Sequence, residues 1–388
     1  MLKTLGAQIK EFKKDSFLTP VFMILEVLME TIIPLMMASI IDNGVEAGDI
    51  HHIYVMGGCM VIVACISLFA GTMGGKYGAR ASAGFARNLR KAMYENIQTF
   101  SFSNIDKFST AGLVTRLTTD VTNLQNAYQM LLRMCVRAPI SLICAMIMAF
   151  FINARLASVY LIAVIVLGMI LAIITVRAHH YFMEVFPKYD DLNASVQENV
   201  SAIRVVKAYV REDYEKKKFT QASKNIYNMF VKAEGVLAFN SPVMQIAVYS
   251  CIIALSWLGA KMIVAGSLTT GELMSLLTYC MNIMMSLMML SMVFVMLAMS
   301  IASAERICEV LNEKSDITNP ENPVYEVADG SVTFDHVTFR YNKTSDKPIL
   351  DDINLSIRSG ETIGVIGGTG SSKSSLVNLI SRLYDVSD

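Results

Sequence analysis

Charged side chains are scarce in this chain: Asp, Glu, Lys and Arg together make up 17% of its 388 residues. A soluble globular domain carries about 25% charged residues, so this chain has too few charges to cover an ordinary water-exposed surface. Hydrophobic residues reach 54% of the chain, and they collect in blocks that end near position 301. The shortage of charge therefore predicts a membrane domain followed by a water-soluble one.

Net charge and cysteine pairs are also missing. The formal charges cancel to zero, so the chain lacks the basic excess that nucleic-acid binding requires, and no nucleic-acid partner is expected. No two of the seven cysteines form a C-x-x-C pair, and six lie in apolar blocks, where a thiol behaves as a small hydrophobic side chain. The cysteines therefore predict neither a metal cluster nor a redox site.

Six segments are long and apolar enough to cross a bilayer, which takes about 20 residues per helix. The loops between them alternate between short and long, and Lys and Arg concentrate before the first span and after the second and fourth. Because Lys and Arg are enriched in cytoplasmic loops, both termini and both long loops are predicted to be cytoplasmic. The predicted spans are 17–41, 53–75, 129–152, 156–177, 241–264 and 272–300.

The long loops have a helical pattern of their own. Residues 76–100 and 196–235 mix apolar and charged side chains at helical spacing and contain no proline, so the spanning helices are predicted to continue into the cytoplasm. We predict a membrane domain over 1–303, a linker over 304–330 and the first part of an α/β domain over 331–388. A short amphipathic helix is expected at the start of the linker, over 304–312.

The soluble part contains a glycine-rich pattern typical of a phosphate-binding loop. Strand-like alternation at 331–341 and 349–357 is followed by an apolar run at 362–366, predicted to be a buried strand, and by a helix at 375–384. Glycines let a backbone wrap closely around phosphate oxygens, and a helix N-terminus supplies unpaired N–H groups. Lys373 is predicted to neutralise the β- and γ-phosphates, and Ser374 to bind Mg²⁺. The residues predicted to form this site are Gly367, Gly368, Thr369, Gly370, Ser371, Ser372, Lys373, Ser374 and Ser375.

One position departs from the pattern G-x-x-x-x-G-K-[ST]: Ser372 stands where the pattern has glycine. A serine fits only if the backbone there can adopt the required φ. A glycine-rich turn that merely precedes a helix is the alternative to a phosphate loop.

Four stretches together resemble exporter-type ABC half-transporters with fused membrane and ATP-binding domains, particularly the bacterial multidrug-like ones that commonly work as heterodimers. Residues 102–121 are similar to the first intracellular loop and 197–219 to the second; 332–350 are similar to the start of the nucleotide-binding domain and 360–376 to the Walker A region. The resemblance covers essentially the whole chain. It implies a polytopic α-helical membrane domain of six transmembrane helices with long cytoplasmic extensions, followed by the N-terminal part of a P-loop α/β nucleotide-binding domain.

The resemblance also implies roles for particular residues. Tyr341 would stack on adenine, although a tyrosine that merely ends a core strand is the alternative. Short coupling helices near 103–110 and 209–213 would press on the nucleotide-binding domains. The signature motif, the Walker B acidic residues and the switch histidine have no match in the sequence, so the chain as given is interpreted as a fragment of an ATPase truncated after Walker A.

The implied function is ATP-driven export of a small apolar or amphipathic substrate across the cytoplasmic membrane, with ATP and Mg²⁺ as cofactors. The implied partners are a second half-transporter, with a different half favoured over an identical one, the transported molecule and the lipid bilayer. Two alternatives stay open: a non-catalytic subunit that supports a catalytic partner, and an ATP-gated regulator or channel-like subunit.

Polar and soft side chains inside the spans leave further alternatives. Glu26 and Glu30 lie four residues apart on one helix face, where they serve either cation or proton recognition or hydrogen bonding between helices. Eight methionines at helical spacing in the last span predict a stripe on one side, suited to apolar ligands, to helix packing or to lipid. The histidine pairs 51/52 and 179/180 are interpreted as solvated interfacial residues rather than metal ligands. The methionines are Met281, Met284, Met285, Met288, Met289, Met292, Met296 and Met299.

Overall fold

The computed structural model describes residues 1–319, 321–323, 325–326, 329–341 and 347–387, without the side chains at 179, 182, 183, 186, 187, 190, 295, 298 and 299. Part of the predicted linker, one member of the second histidine pair and the last methionine of the predicted stripe therefore lie outside this description. The chain forms two compact units. The membrane unit comprises Lys13–Ala81 and Ala127–Ala298, and the loop unit comprises Met1–Phe12, Ser82–Asn126 and Met299–Asp388.

Long helices make up most of the membrane unit, and the loop unit adds short helices and two strands. The α-helices are α1 (Leu2–Gly6), α2 (Lys13–Ser39), α3 (Ile50–Ile97), α4 (Phe102–Phe108), α5 (Thr110–Thr115), α6 (Val121–Ile152), α7 (Ala154–Ser201), α8 (Ile203–Ala208), α9 (Glu212–Ala238), α10 (Asn240–Val264), α11 (Thr270–Asn312) and α12 (Lys373–Ile380). Six helical segments of the described chain are long and apolar enough to cross a membrane. The six-span prediction is therefore confirmed.

Helices α3 and α7 each contain 48 residues, far more than a bilayer requires. At a rise of 1.5 Å per residue, each is about 70 Å long. The predicted extension of the spans beyond the membrane is confirmed for both helices. Residues 304–312 are helical as predicted, but they form the end of α11, which runs unbroken from Thr270 to Asn312, and not a short helix of their own. Neither glycine nor proline interrupts the sequence between positions 272 and 312, so no residue there breaks the helix.

The core of the membrane unit lies where α6, α7, α10 and α11 meet, and buried tyrosines secure it. The Tyr160 hydroxyl donates to the Leu276 carbonyl oxygen at 2.8 Å, and the Tyr279 hydroxyl donates to the Thr31 carbonyl oxygen at 2.7 Å. A hydroxyl buried among apolar side chains is costly unless it is hydrogen-bonded, so these bonds let two large rings occupy the core.

The methionines of α11 do not all lie on one side. Met284 is 1% exposed and belongs to this core. Met281, Met285, Met288 and Met292 are exposed and follow one another at intervals of four, three and four residues. Such intervals bring them to one helix face, so the predicted stripe is narrower than the sequence suggested.

The soluble part contributes a hairpin and one helix to the loop unit. Strands β1 (Val332–Phe339) and β2 (Leu350–Ile357) pair antiparallel, with Val332 opposite Ile357. The strand predicted at 362–366 is wrong: this run is irregular and exposed, and Ile366 is 98% exposed. Because β1 and β2 pair with each other, no strand in the described chain lies beside this run to complete a hydrogen-bonded ladder. Helix α12 begins two residues earlier and ends four residues earlier than predicted.

Candidate functional site

The glycine-rich loop folds around the amine of Lys373. Lys373 Nζ donates to the carbonyl oxygens of Gly367 and Gly368 at 2.9 and 2.8 Å, and to Ser371 Oγ at 3.1 Å. The amine is exposed, so each of these acceptors can be replaced by an oxygen from solution. Such an arrangement holds a positive charge at the centre of the loop.

Two residues of this loop have a left-handed backbone. Gly370 has a φ of 86°, and Ser372 has φ and ψ values of 61° and 23°, in the left-handed region. Ser372 thus adopts the conformation normally left to glycine, at a cost of roughly 1 kcal/mol. Helix α12 begins directly afterwards at Lys373, and no side chain caps it. Its first N–H groups are therefore free of side-chain competition for an anion.

Tyr341 lies two residues after β1 and contacts the first turn of α12. Its hydroxyl is 3.0 Å from Ser375 Oγ, and its ring packs edge-on against Phe339 and Tyr384 at centroid distances of 4.8 and 5.0 Å. The structure therefore brings Tyr341 close to the predicted phosphate site, while its adenine role stays a prediction. Ser374 is exposed, and its hydroxyl makes no hydrogen bond to any described residue. That free oxygen fits the predicted Mg²⁺ ligand.

Helix α4, where the first coupling helix is predicted, contacts the segment after α12. The Tyr384 hydroxyl donates to Asp106 Oδ2 at 3.0 Å, and the rings of Tyr384 and Phe102 lie 6.1 Å apart. Burial, and then the hydrogen bond to Asp106, raise the pKa of Tyr384 to about 12. The phenol therefore stays protonated and keeps donating at physiological pH.

The N-terminus of α4 is capped and fastened to the end of α11. Ser101 and Asn104 form a reciprocal capping box, and Asn104 Nδ2 also donates to Glu313 Oε1 at 2.9 Å. Lys107 Nζ reaches the other oxygen of Glu313 at 2.8 Å. The short helix is thus held at its start by α11 and near its middle by Tyr384.

Comparison with known families agrees with this arrangement. The family model of the ABC transporter transmembrane region matches residues 16–288, and the ABC transporter family model matches residues 350–388, which include the predicted phosphate loop. The chain belongs to the ABC transporter family. The predicted resemblance and the multi-pass membrane location are thereby confirmed, and in this family the nucleotide-binding domain is cytoplasmic.

Relatives of this ABC transporter chain match over most of its length. It is 32% identical to the ABC transporter ATP-binding protein YfiB of Bacillus subtilis over 94% of this chain and 63% of that protein. It is 33% identical to the ABC transporter ATP-binding protein Rv1273c of Mycobacterium tuberculosis, over 100% of this chain and 66% of that protein. An ATP-dependent lipid A-core flippase of Syntrophus aciditrophicus is 27% identical over 86% of this chain and 53% of its own length. The chain therefore spans about two thirds or less of the relatives it matches.

The second predicted coupling segment of this ABC transporter lies in the membrane unit. It is a turn between α8 and α9, where Val210 has a φ of 53° and is 81% exposed. Beside it lies a groove of about 390 Å³ lined mainly by the apolar parts of α7, α8 and α9. Contact of this turn with a nucleotide-binding domain stays a prediction.

Sequence analysis missed the partner of the two intramembrane carboxylates. Arg137 of α6 donates from Nη1 to Glu26 Oε1 at 2.5 Å and from Nη2 to both oxygens of Glu30 at 2.9 Å. Hydrogen bonding between helices, one of the two readings of these glutamates, is therefore observed. The signal was present in the sequence: Arg133 and Arg137 are spaced four residues apart in an apolar run, just as Glu26 and Glu30 are.

The histidines show no metal cluster. His52 Nε2 lies 3.0 Å from Ser39 Oγ, and His180 Nε2 lies 3.2 Å from Glu184 Oε1. In the residues that the structure describes, no group of three or more His, Cys, Asp or Glu side chains could hold a metal ion.

Proposed function

We propose that this chain is one half of a dimeric ABC exporter, which uses ATP to move a small amphipathic substrate across the cytoplasmic membrane. The observation that carries this proposal is the hydrogen bond from Tyr384 to Asp106. It joins the first intracellular loop to the segment that directly follows the phosphate loop and its helix. A structural change at the phosphate loop therefore has a short physical route to the loop that connects two spanning helices.

The first step is phosphate binding at Gly367–Ser375, for which the present hydrogen bonds of Lys373 prepare the site. Its amine exchanges the carbonyl oxygens of Gly367 and Gly368 for the β- and γ-phosphate oxygens of ATP. The uncapped N-terminus of α12 contributes N–H donors, and the free Ser374 hydroxyl binds Mg²⁺. ATP supplies the free energy of binding and hydrolysis, and the chain's own residues hold and orient its phosphates.

The second step is transmission along the aromatic contacts. Ser375 of α12 bonds to Tyr341, whose ring packs on Tyr384, and Tyr384 bonds to Asp106 of α4. ATP shifts this assembly only if it binds one conformation better than the other, so the contacts must differ between the two states. Contacts around Tyr341 and Tyr384 are the ones that adjoin both the phosphate loop and α4.

Domain limits, partner and substrate class belong to the same proposal. We infer a membrane domain over 1–303, a linker over 304–330 and a nucleotide-binding part over 331–388, paired with a second half that is a different chain. An amphipathic substrate is supported by the relative named as a lipid A-core flippase and by the exposed methionine face of α11. Methionine surfaces adapt to varied apolar partners.

The test uses the transporter with its partner subunit, reconstituted in liposomes. We expect Lys373→Ala to lose ATP binding at this half and to abolish ATP-driven movement of a fluorescently labelled phospholipid. Asp106→Ala should keep ATP binding but lower phospholipid movement, because the link to α4 is removed. Tyr325→Ala is the control, since Tyr325 is 87% exposed and makes no hydrogen bond to a described residue. Intact transport with Lys373→Ala would contradict the proposal.

The non-catalytic alternative has one specific observation in its favour, the serine at position 372. Under this alternative, Lys373→Ala leaves transport by the pair intact, because the partner does the chemistry. The ATP-gated regulator makes a different prediction, namely that substrate does not stimulate ATP hydrolysis. Stimulation of ATP hydrolysis by phospholipid in the complete pair would argue against it.

A further inference from the structure

A groove of about 520 Å³ in the membrane unit contains charged residues although its walls are membrane-spanning helices. Glu26, Glu30 and Arg133 line it from α2 and α6, and the polar Thr72 lines it from α3. The apolar Ile33 and Leu68 complete its walls. Ionisable residues inside a membrane are costly and are usually paired or functional, so each of these requires an account.

Arg137 binds three of the four carboxylate oxygens of Glu26 and Glu30. Its guanidinium binds Glu26 Oε1 and both oxygens of Glu30. The second arginine of α6, Arg133, has no such partner among the described residues. Arg133 lies one turn earlier on α6, and it forms no ion pair with any residue that the structure describes. A guanidinium without a counter-ion therefore lines the groove.

Two polar atoms beside this groove lack a hydrogen-bond partner. Glu26 Oε2, an acceptor, and Arg133 Nε, a donor, are both buried and unpaired in the described chain. They are not bonded to each other. A single molecule that offers both a donor and an acceptor would satisfy the two atoms together.

Helix α3 is shaped to admit the carboxylate of Glu26. A Cβ atom at Gly71 would lie 3.0 Å from Glu26 Oε1, whereas a Cβ atom at Gly75, one turn along, would meet nothing within 4 Å. A side chain at position 71 would press on the Glu26 carboxylate, which would have to move by a few tenths of an ångström. The groove wall at Gly71 therefore packs closely against the charged group.

The charges around the groove sum to zero, because two carboxylates face two guanidiniums. A ligand with a net charge would add an unbalanced charge within the membrane, whereas a ligand with one charge of each sign would not. We propose that this groove binds the zwitterionic headgroup of an amphipathic molecule, its acidic group on Arg133 and its ammonium group on Glu26 and Glu30. The apolar walls at Ile33 and Leu68 take the start of its hydrocarbon part.

This inference rests on the proposed export function for its biological meaning, but its test does not require ATP. The probes are three short-chain phospholipids with identical dihexanoyl chains: zwitterionic phosphatidylethanolamine, anionic phosphatidylglycerol and a cationic ethylphosphocholine. Binding to the purified transporter with its partner is measured by equilibrium dialysis without nucleotide. We expect the zwitterionic lipid to bind at least about tenfold more tightly than either ionic lipid, because a charge-assisted hydrogen bond is lost with each.

Removing one charge of the groove should remove the preference for the zwitterionic lipid over one ionic lipid but not over the other. Arg133→Gln should remove the preference over the cationic lipid, and Glu30→Gln should remove the preference over the anionic lipid. Arg133→Lys should keep the preference, and Arg155→Gln, at an exposed position of the same unit, should leave binding unchanged. Equal weakening of all three lipids by Arg133→Gln, or no preference in the unaltered protein, would overturn the inference.

The headgroup can belong to a bilayer lipid or to the transported molecule, and a second arm separates them. A structural bilayer lipid stays bound when ATP and vanadate trap the transporter, whereas a transported molecule is released. Either outcome supports the groove as a headgroup site. If the unaltered pair prefers the zwitterionic lipid but shows no ATP-driven transport, only the export function is contradicted. If it transports but shows no lipid preference, only the headgroup site is contradicted.

Discussion

Two arginine–carboxylate clusters, one around Asp120 in the loop unit and one around Glu26 in the membrane unit, differ in whether all their polar atoms have hydrogen-bond partners. In the loop unit, Arg306 donates from Nε to Asp120 Oδ2 at 2.7 Å and from Nη2 to Oδ1 at 2.5 Å, and Ser303 Oγ donates to Oδ1 at 2.9 Å. The Asp120 side chain is 1% exposed. In the membrane unit, Arg137 binds Glu26 and Glu30, but Glu26 Oε2 and the neighbouring Arg133 keep unpaired polar atoms.

This difference indicates that the Asp120 cluster is a structural ion pair, whereas the Glu26 cluster is a candidate binding site. Both oxygens of Asp120 have donors, and a bidentate pair of this kind fixes the geometry between α11 and the residue that precedes α6. The cluster around Glu26 is incompletely satisfied and opens onto a groove with apolar walls. Incomplete satisfaction beside a groove indicates a ligand, whereas complete satisfaction indicates structure.

The largest effect is expected where the closed pair is broken. Arg306→Gln would leave the buried carboxylate of Asp120 without its charged partner, and because Arg306 itself is half-exposed the cost should be about 3 kcal/mol, the low end for buried ion pairs. The free energy of unfolding of the purified transporter should fall by an amount of that order. Arg382→Gln is the control in the same unit, because its pair with Asp385 is exposed on both sides and is worth at most about 1 kcal/mol. Equal losses of unfolding free energy in the two variants would show that the Arg306–Asp120 pair does not stabilise the fold more than an exposed ion pair does.

The two arginines of α6 allow a sharper comparison within one helix. Arg137→Gln leaves two carboxylates without their donor and should destabilise the protein by about 2–3 kcal/mol. Arg133→Gln removes a guanidinium that has no carboxylate partner, so stability should change by less than about 0.5 kcal/mol. The measurement is the denaturation midpoint of each variant in the same detergent. If Arg133→Gln is as destabilising as Arg137→Gln, Arg133 is a structural residue and not a free one.

The predicted phosphate loop extends the comparison to a lysine, Lys373, whose three acceptors are exposed and can therefore be exchanged for oxygens of a ligand. The left-handed Ser372 holds this loop in shape. Ser372→Gly should alter ATP affinity less than about threefold, because serine already has the conformation that glycine prefers. Ser372→Val should weaken ATP binding at least about tenfold, because a β-branched residue strongly disfavours that conformation. Equilibrium binding of a fluorescent ATP analogue gives both values, and equal affinity in both variants would contradict this account.

Sequence predicted the helical spans well, for physical reasons. A bilayer demands about 20 apolar residues per span, and few soluble structures carry such runs. The condition set for a serine at position 372, a backbone that can adopt the required φ, is met, because Ser372 has a left-handed φ. The strand at 362–366 failed because a strand requires a neighbour, which the local sequence does not reveal.

Partners distant in sequence escaped prediction. Arg137 and Glu26 are separated by 111 positions, and Tyr384 and Asp106 by 278. Only packing brings such groups together, and periodicity along one segment does not reveal it. The matching spacing of two glutamates and two arginines was the one usable signal for the membrane cluster, because residues four apart lie on the same helix face.

The smallest effect concerns the Tyr384 hydroxyl, a neutral hydrogen-bond donor that links α4 to the segment after α12. Tyr384→Phe removes one hydrogen bond to Asp106 and should lower the free energy of unfolding by about 0.5–1.5 kcal/mol near pH 7.

The pH dependence of this effect follows from the pKa of Tyr384. Burial first, and then the hydrogen bond to Asp106, raise that pKa to about 12, above its ordinary value near 10. A raised pKa stabilises the folded state below the unfolded pKa, and this contribution is lost as pH rises through the folded value. The advantage of the unaltered protein over Tyr384→Phe should therefore be constant from pH 7 to about 9 and fall steadily between about 10 and 12. Tyr325→Phe, at an exposed tyrosine, should show no such difference at any pH. A difference that persists undiminished at pH 12 would mean that the ring packing of Tyr384, and not its hydroxyl, holds α4.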